Sequence, residues 1–339
     1  MIKGNEIIYQ IFVRNYSQVG TFEAVKNDLP RLKELGVDII YLMPIHEIGI
    51  KNRKGTWGSP YAIKDYYSIS KDLGNKEDFL SLINDVHKMG MKIIMDMVFN
   101  HTSPDSVILQ KHPEYYFYKD GKLGNRVGEW SDIIDLDTSR IDTQNYLLDV
   151  LKYWISFGVD GFRFDVASMI SFDFFKKARK ELGKDVIFFA ESIDYDFADY
   201  LKSMGYSSTP DKDMFPTFDL LYNYSWFRPL ERYLKNEMTY DNLKSIILED
   251  YKYIGDKGLR IICFENHDTK RIASYLNEDR LKEIVLDITK YKGPLFLYMG
   301  QEYGISHRPN LFEKDPVYWV PNQKVLEIYK EAIKIKKNQ

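Results

Sequence analysis

The sequence predicts an α/β protein in which eight parallel strands and their connecting helices close into a (β/α)8 TIM barrel. Three observations carry that reading. Short, almost wholly apolar runs recur along the chain, as strands buried on both faces should. An amphipathic helical stretch separates most successive runs. In five of the cycles a glycine stands shortly before the strand, at Gly36, Gly90, Gly158, Gly183 and Gly293, where it can end a helix in the left-handed conformation without a Cβ penalty. A helix–Gly–strand cycle favours parallel βα units, and eight strands of this kind favour a closed barrel over an open sheet. No glycine-rich dinucleotide or phosphate loop follows any strand, which weakens the open-sheet alternative further.

The predicted strands are residues 8–13, 38–43, 92–98, 161–166, 186–191, 217–221, 260–265 and 295–299. Before the third, Phe79, Leu82, Ile83, Val86 and Met89 share one helix face behind the N-cap candidate Asn75. Leu147, Leu148, Leu151, Trp154 and Ile155 repeat the pattern before the fourth, and Leu281, Ile284, Val285 and Ile288 before the eighth. Two connections, 44–74 and 101–141, are longer than a βα loop needs, and such loops are often functional. The second holds Tyr115, Tyr116, Phe117, Tyr118 and Trp130 and reads as a short inserted subdomain, leaving 1–100 and 142–339 for the barrel. Residues 325–335 read as the last barrel helix, with no C-terminal β-sandwich after it in this chain.

Composition narrows the function classes. The 339 residues suffice for one large domain or two ordinary ones. With 47 basic against 50 acidic residues and no basic block, nucleic acid is not expected as a partner. No apolar run approaches the roughly 18 residues that cross a bilayer, and the N-terminus lacks a secretory pattern, so the expectation is a cytoplasmic protein with no membrane partner. The single cysteine, Cys263, excludes an intrachain disulfide framework and a Cys-rich zinc site. Oligomeric state is left open. Aromatic residues reach 15%, with 26 Tyr and 20 Phe, which is high for an ordinary core.

A barrel of this kind places its active site at the C-terminal ends of the strands. The third strand ends in Asp-Met-Val-Phe-Asn-His (96–101) and the fourth in Gly-Phe-Arg-Phe-Asp (161–165). The fifth ends at Glu191, and the seventh runs into Phe-Glu-Asn-His-Asp (264–268). Taken singly, Asp96, Asp165, Glu191 and Asp268 read as readily as helix caps or arginine partners. His101 and His267 alone fit satisfied semi-buried residues, and Arg163 a plain ion pair. Their joint placement at four strand ends is different, because ionised groups crowded at one barrel mouth repel and desolvate each other without a chemical reason.

The residue types then select a reaction. Two carboxyls with opposed demands, one an ionised nucleophile and one a protonated acid, are the equipment of glycoside cleavage. Arg163 lies two residues before Asp165, on the same strand face, and can hold it ionised and aimed. Histidines can donate to sugar hydroxyls, and Tyr61 and other aromatics can stack on apolar sugar faces. A metal-hydrolase reading lacks support, since the chain has only six His, none as His-x-His or His-Glu-x-x-His. A Ser-His-Asp hydrolase lacks the Gly-x-Ser-x-Gly elbow.

These four strand ends resemble, in order, the motifs of the α-amylase family, glycoside hydrolase family 13. Residues 7–14 resemble the family's first strand, 61–67 its second-loop motif and 293–304 its eighth strand. The resemblance implies a retaining, double-displacement glycosidase acting on α-glucosidic bonds of α-glucans or maltooligosaccharides. Asp165 matches the nucleophile, Glu191 the general acid/base and Asp268 the residue that grips sugar hydroxyls at the transition state. Tyr61, His101, Arg163 and His267 match positions lining the subsite of the attacked sugar, and Asp96 a supporting position. The insertion corresponds to a short domain B, and the resemblance implies a structural calcium between it and the barrel, with Asn100 and Asp135 at ligand positions. No organic cofactor is implied. Ser168 and Met169 stand where many amylases carry Lys-His, which points to short oligosaccharides rather than polymeric starch. Transglycosylation or glucosyl isomerisation on short α-glucosides, and an inert glycan-binding relative, are the alternatives. The last class typically loses one of the three carboxylates, and all three are present.

Overall fold

The computed structural model describes residues 2–339 apart from Glu129, Asp194 and Ser207. Its central feature is a ring of parallel strands: β1 (Ile7–Ile11), β2 (Ile39–Leu42), β3 (Lys92–Met97), β4 (Gly161–Phe164), β5 (Ile187–Ala190), β6 (Leu220–Leu221), β7 (Leu259–Arg260 and Ile262–Cys263) and β8 (Leu295–Tyr298). Pairing runs from β1 to β8 in sequence order and returns from β8 to β1. The seventh strand is interrupted at Ile261: its first half pairs with β6 and its second with β8, and this handover closes the ring. Ile261 still donates its N–H to Leu221 O at 2.9 Å, while Ile262 donates to Pro294 O at 2.8 Å.

Alternation along each strand separates two cores. Ile8, Ile39, Tyr41, Ile94, Ile187, Phe189, Leu220, Tyr222, Ile261, Cys263 and Phe296 point inward and fill the barrel. Phe189 stacks on Tyr222 at 4.8 Å, and Phe296 lies 5.9 Å from Tyr222, so rings floor the lumen beneath the polar strand ends. The alternate residues pack outward on the helices.

The helices follow the periodicity. Those longer than one turn and a half are α1 (Phe22–Leu35), α2 (Lys76–Lys88), α3 (Ile141–Ser156), α4 (Phe172–Leu182), α5 (Tyr195–Ser203), α6 (Tyr224–Leu234), α7 (Tyr240–Ile254), α8 (Glu278–Ile288) and α9 (Gln323–Lys337). Asn75 caps α2 in a full capping box with Asp78. All five predicted glycines have positive φ, and Gly36 closes α1 at φ +103°, its N–H on Leu32 and Lys33 carbonyls. Gly161 is required for another reason: a Cβ there would sit 2.4 Å from the carbonyl oxygen of Ile187, its partner on β5.

Two loops depart from the compact βα pattern. In the first, Glu47–Ile48 pairs with Ile63–Asp65 and brings Tyr61 over the barrel mouth. The second lies between β3 and α3, where His101–Thr102 pairs with Ile134–Asp135, and a hairpin joins Tyr118–Lys119 to Lys122–Leu123. Its Val127 packs with Met169 and Leu201 in a small separate core that docks the insertion on the loops after β4 and β5. Among the described residues, no helix is long and apolar enough to cross a membrane.

Candidate active site

Arg163 organises the polar end of the barrel. Its side chain is fully buried, and its Nη1 donates to Asp96 Oδ1 and Oδ2 at 2.8 and 2.9 Å and to Asp165 Oδ1 at 2.9 Å. Its Nη2 lies 2.8 Å from Glu191 Oε1, a charge contact whose angle is too bent for a hydrogen bond. The position follows from the strand period: Arg163 and Asp165 face inward on β4, next to Asp96 on β3 and Glu191 at the end of β5. One guanidinium thus gathers three carboxylates of adjacent strands.

Each carboxylate is fixed by further donors. Tyr41 and Tyr61 hydroxyls donate to Asp96 Oδ2 at 2.7 and 3.1 Å. Glu191 accepts from the Val166 N–H at 2.9 Å and from the Tyr224 hydroxyl at 2.9 Å. Val166 follows Asp165 with φ +38° and ψ +44°, a left-handed conformation costly for a β-branched residue. That turn aims the Val166 N–H at the Glu191 carboxylate, while the Ala167 N–H takes the Glu191 carbonyl. Asp268 lies across the cleft, half exposed, with its Oδ2 3.2 Å from His267 Nε2.

His267 forms a relay between two walls. Gln10 Nε2 meets its Nδ1 at 2.9 Å, and the Tyr61 hydroxyl its Nε2 at 2.6 Å. With the Gln10 amide donating to Nδ1, the proton sits on Nε2, facing Tyr61 and Asp268. Tyr61 also stacks on the imidazole, with centroids 5.3 Å apart. His101 lines the opposite side, 5.6 Å from the Trp130 ring. Together Lys54, Tyr61, His101, Trp130, Asp132, Asp165, Glu191, His267, Asp268 and Phe312 border a cleft of about 430 Å³. The structure therefore brings Asp165, Glu191, Asp268, Tyr61, His101, Arg163 and His267 together.

Burial sets the protonation tendencies. Asp165 is raised well above the usual carboxylate range, first by burial and then by the Glu191 charge, with Arg163 pulling the other way. Burial also lifts Asp96, to about 6, against its Arg163 contact. Three carboxylates around one guanidinium carry excess negative charge, so the ligand-free cluster tends to retain a proton.

The two site histidines shift down. Burial holds His101 at about 4 and His267 at about 3, so both are neutral near pH 7. Unfolding returns each to about 6.5, so below that pH the unfolded chain binds the extra proton and stability falls as pH falls. The raised carboxyls act in the opposite sense, which makes a difference measurement the right readout. Between pH 7 and pH 4 the wild type is expected to lose about 3 kcal/mol more unfolding free energy than His267→Gln in urea titrations. Parallel pH profiles for the two proteins would contradict a neutral buried imidazole.

Asn100 and Asp135, the expected calcium ligands, do come together, with Asn100 Nδ2 3.4 Å from Asp135 Oδ1. They do not fit the metal. The Arg126 guanidinium lies against both, at 2.8 Å from Asp135 Oδ2 and 2.9 Å from Asn100 Oδ1. Calcium needs six to eight oxygens, and a second cation beside Arg126 would be repelled. Among the described residues, no group of three or more His, Cys, Asp or Glu could hold a metal ion.

Sequence reasoning misses Gln10, Tyr41 and Tyr224. A signal exists for two of them: Gln10 lies near the end of β1 and Tyr224 just past β6, both at strand ends on the catalytic side of the barrel. Tyr41 carries no such mark, because a strand tyrosine fits a core equally well.

The chain matches the family model described as alpha amylase, catalytic domain, over residues 10–131 and 126–338. Among solved structures, it superposes on an alpha-amylase from Lactobacillus plantarum with TM-score 0.93 at 37% identity, covering 98% of this chain and 80% of that one. A noncanonic maltogenic alpha-amylase from Thermotoga neapolitana gives TM-score 0.88 at 30% identity, covering 100% and 78%. Among curated relatives, a probable oligo-1,6-glucosidase from Bacillus subtilis is 24% identical over 89% of this chain. An intracellular maltogenic amylase of the same organism is 26% identical over 94%. The chain spans 65% and 55% of the lengths of those two relatives. Because the match runs through nearly the whole barrel and its insertion, the chain belongs to the α-amylase catalytic-domain family.

Proposed function

We propose that this chain is a retaining glycosidase that hydrolyses α-glucosidic bonds of short maltooligosaccharides. The observation that carries the reading is the placement of Asp165 and Glu191, nearly buried at adjacent strand ends on the two terminal nitrogens of one guanidinium, with Asp268 across the same cleft. In the first step an Asp165 oxygen attacks the anomeric carbon, while Glu191 gives its proton to the departing glycosidic oxygen. The step requires a proton on Glu191 and an ionised Asp165, and the Arg163 contact favours that charge on Asp165 against its burial. In the second step Glu191 takes a proton from water as that water attacks the same carbon, releasing Asp165 and an α-configured product. Asp268 accepts from sugar hydroxyls, and neutral His101 and His267 donate to them.

The preference for short chains is supported by the residues that follow the proposed nucleophile. Ser168 and Met169 are buried, with the Ser168 hydroxyl on Met214 Sδ and the Ile193 N–H, so neither offers a polar contact to an incoming chain. Action in the cytoplasm is supported by the similarity to an intracellular maltogenic amylase.

Incubation with maltoheptaose, soluble starch, sucrose and trehalose, followed by product analysis, tests the reading. Maltoheptaose is expected to give shorter maltooligosaccharides of α configuration, with kcat/KM at least about tenfold above starch per chain end. Equal rates on both would refute the size preference. Absence of cleavage on every substrate, with ligand binding intact, would establish an inert glycan binder instead.

A further inference from the structure

The oxygens that meet where the insertion joins the barrel converge on a cation that the chain itself supplies. Arg126 donates from Nε to Asp135 Oδ2 at 2.8 Å, and its own backbone N–H reaches the same oxygen at 2.9 Å. Its Nη2 donates to Asn100 Oδ1 at 2.9 Å and more weakly to Leu136 O at 3.5 Å, and its Nη1 donates to Met169 O at 3.0 Å. Asn100 and Asp135 are fully buried, and the Arg126 side chain is 15% exposed. These partners come from three separate places: the end of β3, the returning strand of the insertion, and the turn after Asp165.

We propose that the Arg126 guanidinium replaces a structural divalent cation, making the junction between insertion and barrel independent of added metal. Three features favour a guanidinium here. The oxygens spread over its two edges and its Nε–H, a planar fork that arginine matches and a spherical ion does not. One carboxylate and one guanidinium balance in charge, whereas a divalent ion would leave the buried site positive. Four side-chain and carbonyl oxygens also fall short of a calcium shell.

The arrangement reaches the cleft through Asn100. With its Oδ1 held by Arg126, the Asn100 amide turns its Nδ2 to His101 Nδ1 at 3.1 Å. That contact leaves the His101 proton on Nε2. Arg126 is thus a positioning residue that acts through Asn100 on a cleft-lining histidine, and through Met169 on the turn carrying Asp165.

The test is thermal unfolding, which needs no substrate. The wild-type Tm is expected to be the same within about 1 °C in chelator and in millimolar calcium chloride. Arg126→Ala is expected to lower Tm by roughly 5–10 °C, from the loss of a nearly buried ion pair that leaves Asp135 uncompensated. Millimolar ethylguanidinium is then expected to raise the Tm of this variant, calcium chloride at the same concentration to raise it less, and both to leave wild type unmoved. Arg126→Lys, which keeps the charge without the fork, should fall between the two. A wild-type Tm that drops in chelator, or rises saturably with calcium, overturns the proposal even if Arg126→Ala does not fold. So does an Arg126→Ala Tm equal to wild type.

Discussion

Asp165→Gly is expected to lower the turnover of maltooligosaccharides by at least about four orders of magnitude, while the chain stays folded. Arg163 keeps its two contacts to Asp96 and its charge contact to Glu191, so the guanidinium is not stranded by the change. What disappears is the oxygen that bonds to the anomeric carbon. The space it leaves admits a small anion, so azide should restore cleavage of α-glucosyl fluoride. The anion would attack from the side where the carboxylate stood, and the product should be the β-glucosyl azide, after a single inversion. Asp165→Asn, which fills the space, should show the same loss without rescue. A merely structural Asp165 predicts neither the rescue nor the inverted product. Activity of Asp165→Gly within tenfold of wild type, or an α-configured azide, would remove it from the nucleophile's role.

Most of this framework is legible in the sequence, for identifiable reasons. Strands buried on both faces are short and apolar, and a carboxylate or arginine ending such a run stands out against it; Asp96, Arg163, Asp165 and Glu191 are all visible this way. The sixth strand is less visible. The apolar pattern predicts pairing over residues 217–221, but only Leu220–Leu221 pair. Asp219 still donates its N–H to Phe188 O at 2.9 Å while its carboxylate accepts the Phe188 N–H and the Arg179 side chain, and Thr217 and Phe218 turn back on Met214. The seventh strand reads as one run, whereas the change of partner at Ile261 depends on ring closure and leaves no mark on local pattern. Arg126 is invisible for a similar reason, lying 43 residues from Met169, which it joins only in the folded chain.

The aromatic excess divides unevenly. Phe164, Phe174, Phe175, Phe188 and Phe218 pack between strands and helices, with Phe175 and Phe218 centroids 4.7 Å apart. Phe189, Tyr222 and Phe296 fill the barrel below Arg163, whose guanidinium lies 5.7 Å from the Tyr222 centroid. Tyr61, Trp130 and Phe312 are the aromatic rings bordering the cleft among the described residues. Composition therefore reports chiefly on packing, and the ring floor has a functional consequence of its own. It closes the barrel beneath the carboxylates, excluding water from below and strengthening every charge interaction above it.

Glu191→Gln tests the other half of the mechanism, and its effect should depend on the leaving group. The amide keeps the shape of the side chain: its oxygen can accept the Val166 N–H where Oε2 stood, and its NH2, where Oε1 stood, can donate to the Tyr224 hydroxyl, so the fold and KM should change little. It has no proton to give. On maltooligosaccharides, whose leaving oxygen needs that proton, kcat should fall by about 10³. Fluoride leaves without protonation, so the first step on α-glucosyl fluoride should remain close to wild type. The second step still needs a base to activate water, and the amide cannot act as one. The covalent glucosyl-enzyme should therefore accumulate, visible as a mass increase of one anhydroglucose unit that peptide mapping places on Asp165. Added azide, which needs no deprotonation, should discharge it and accelerate turnover. An acid/base role for Glu191 is inconsistent with equal losses on both substrates, because a residue that only shapes the cleft cannot distinguish a leaving group that needs a proton from one that does not.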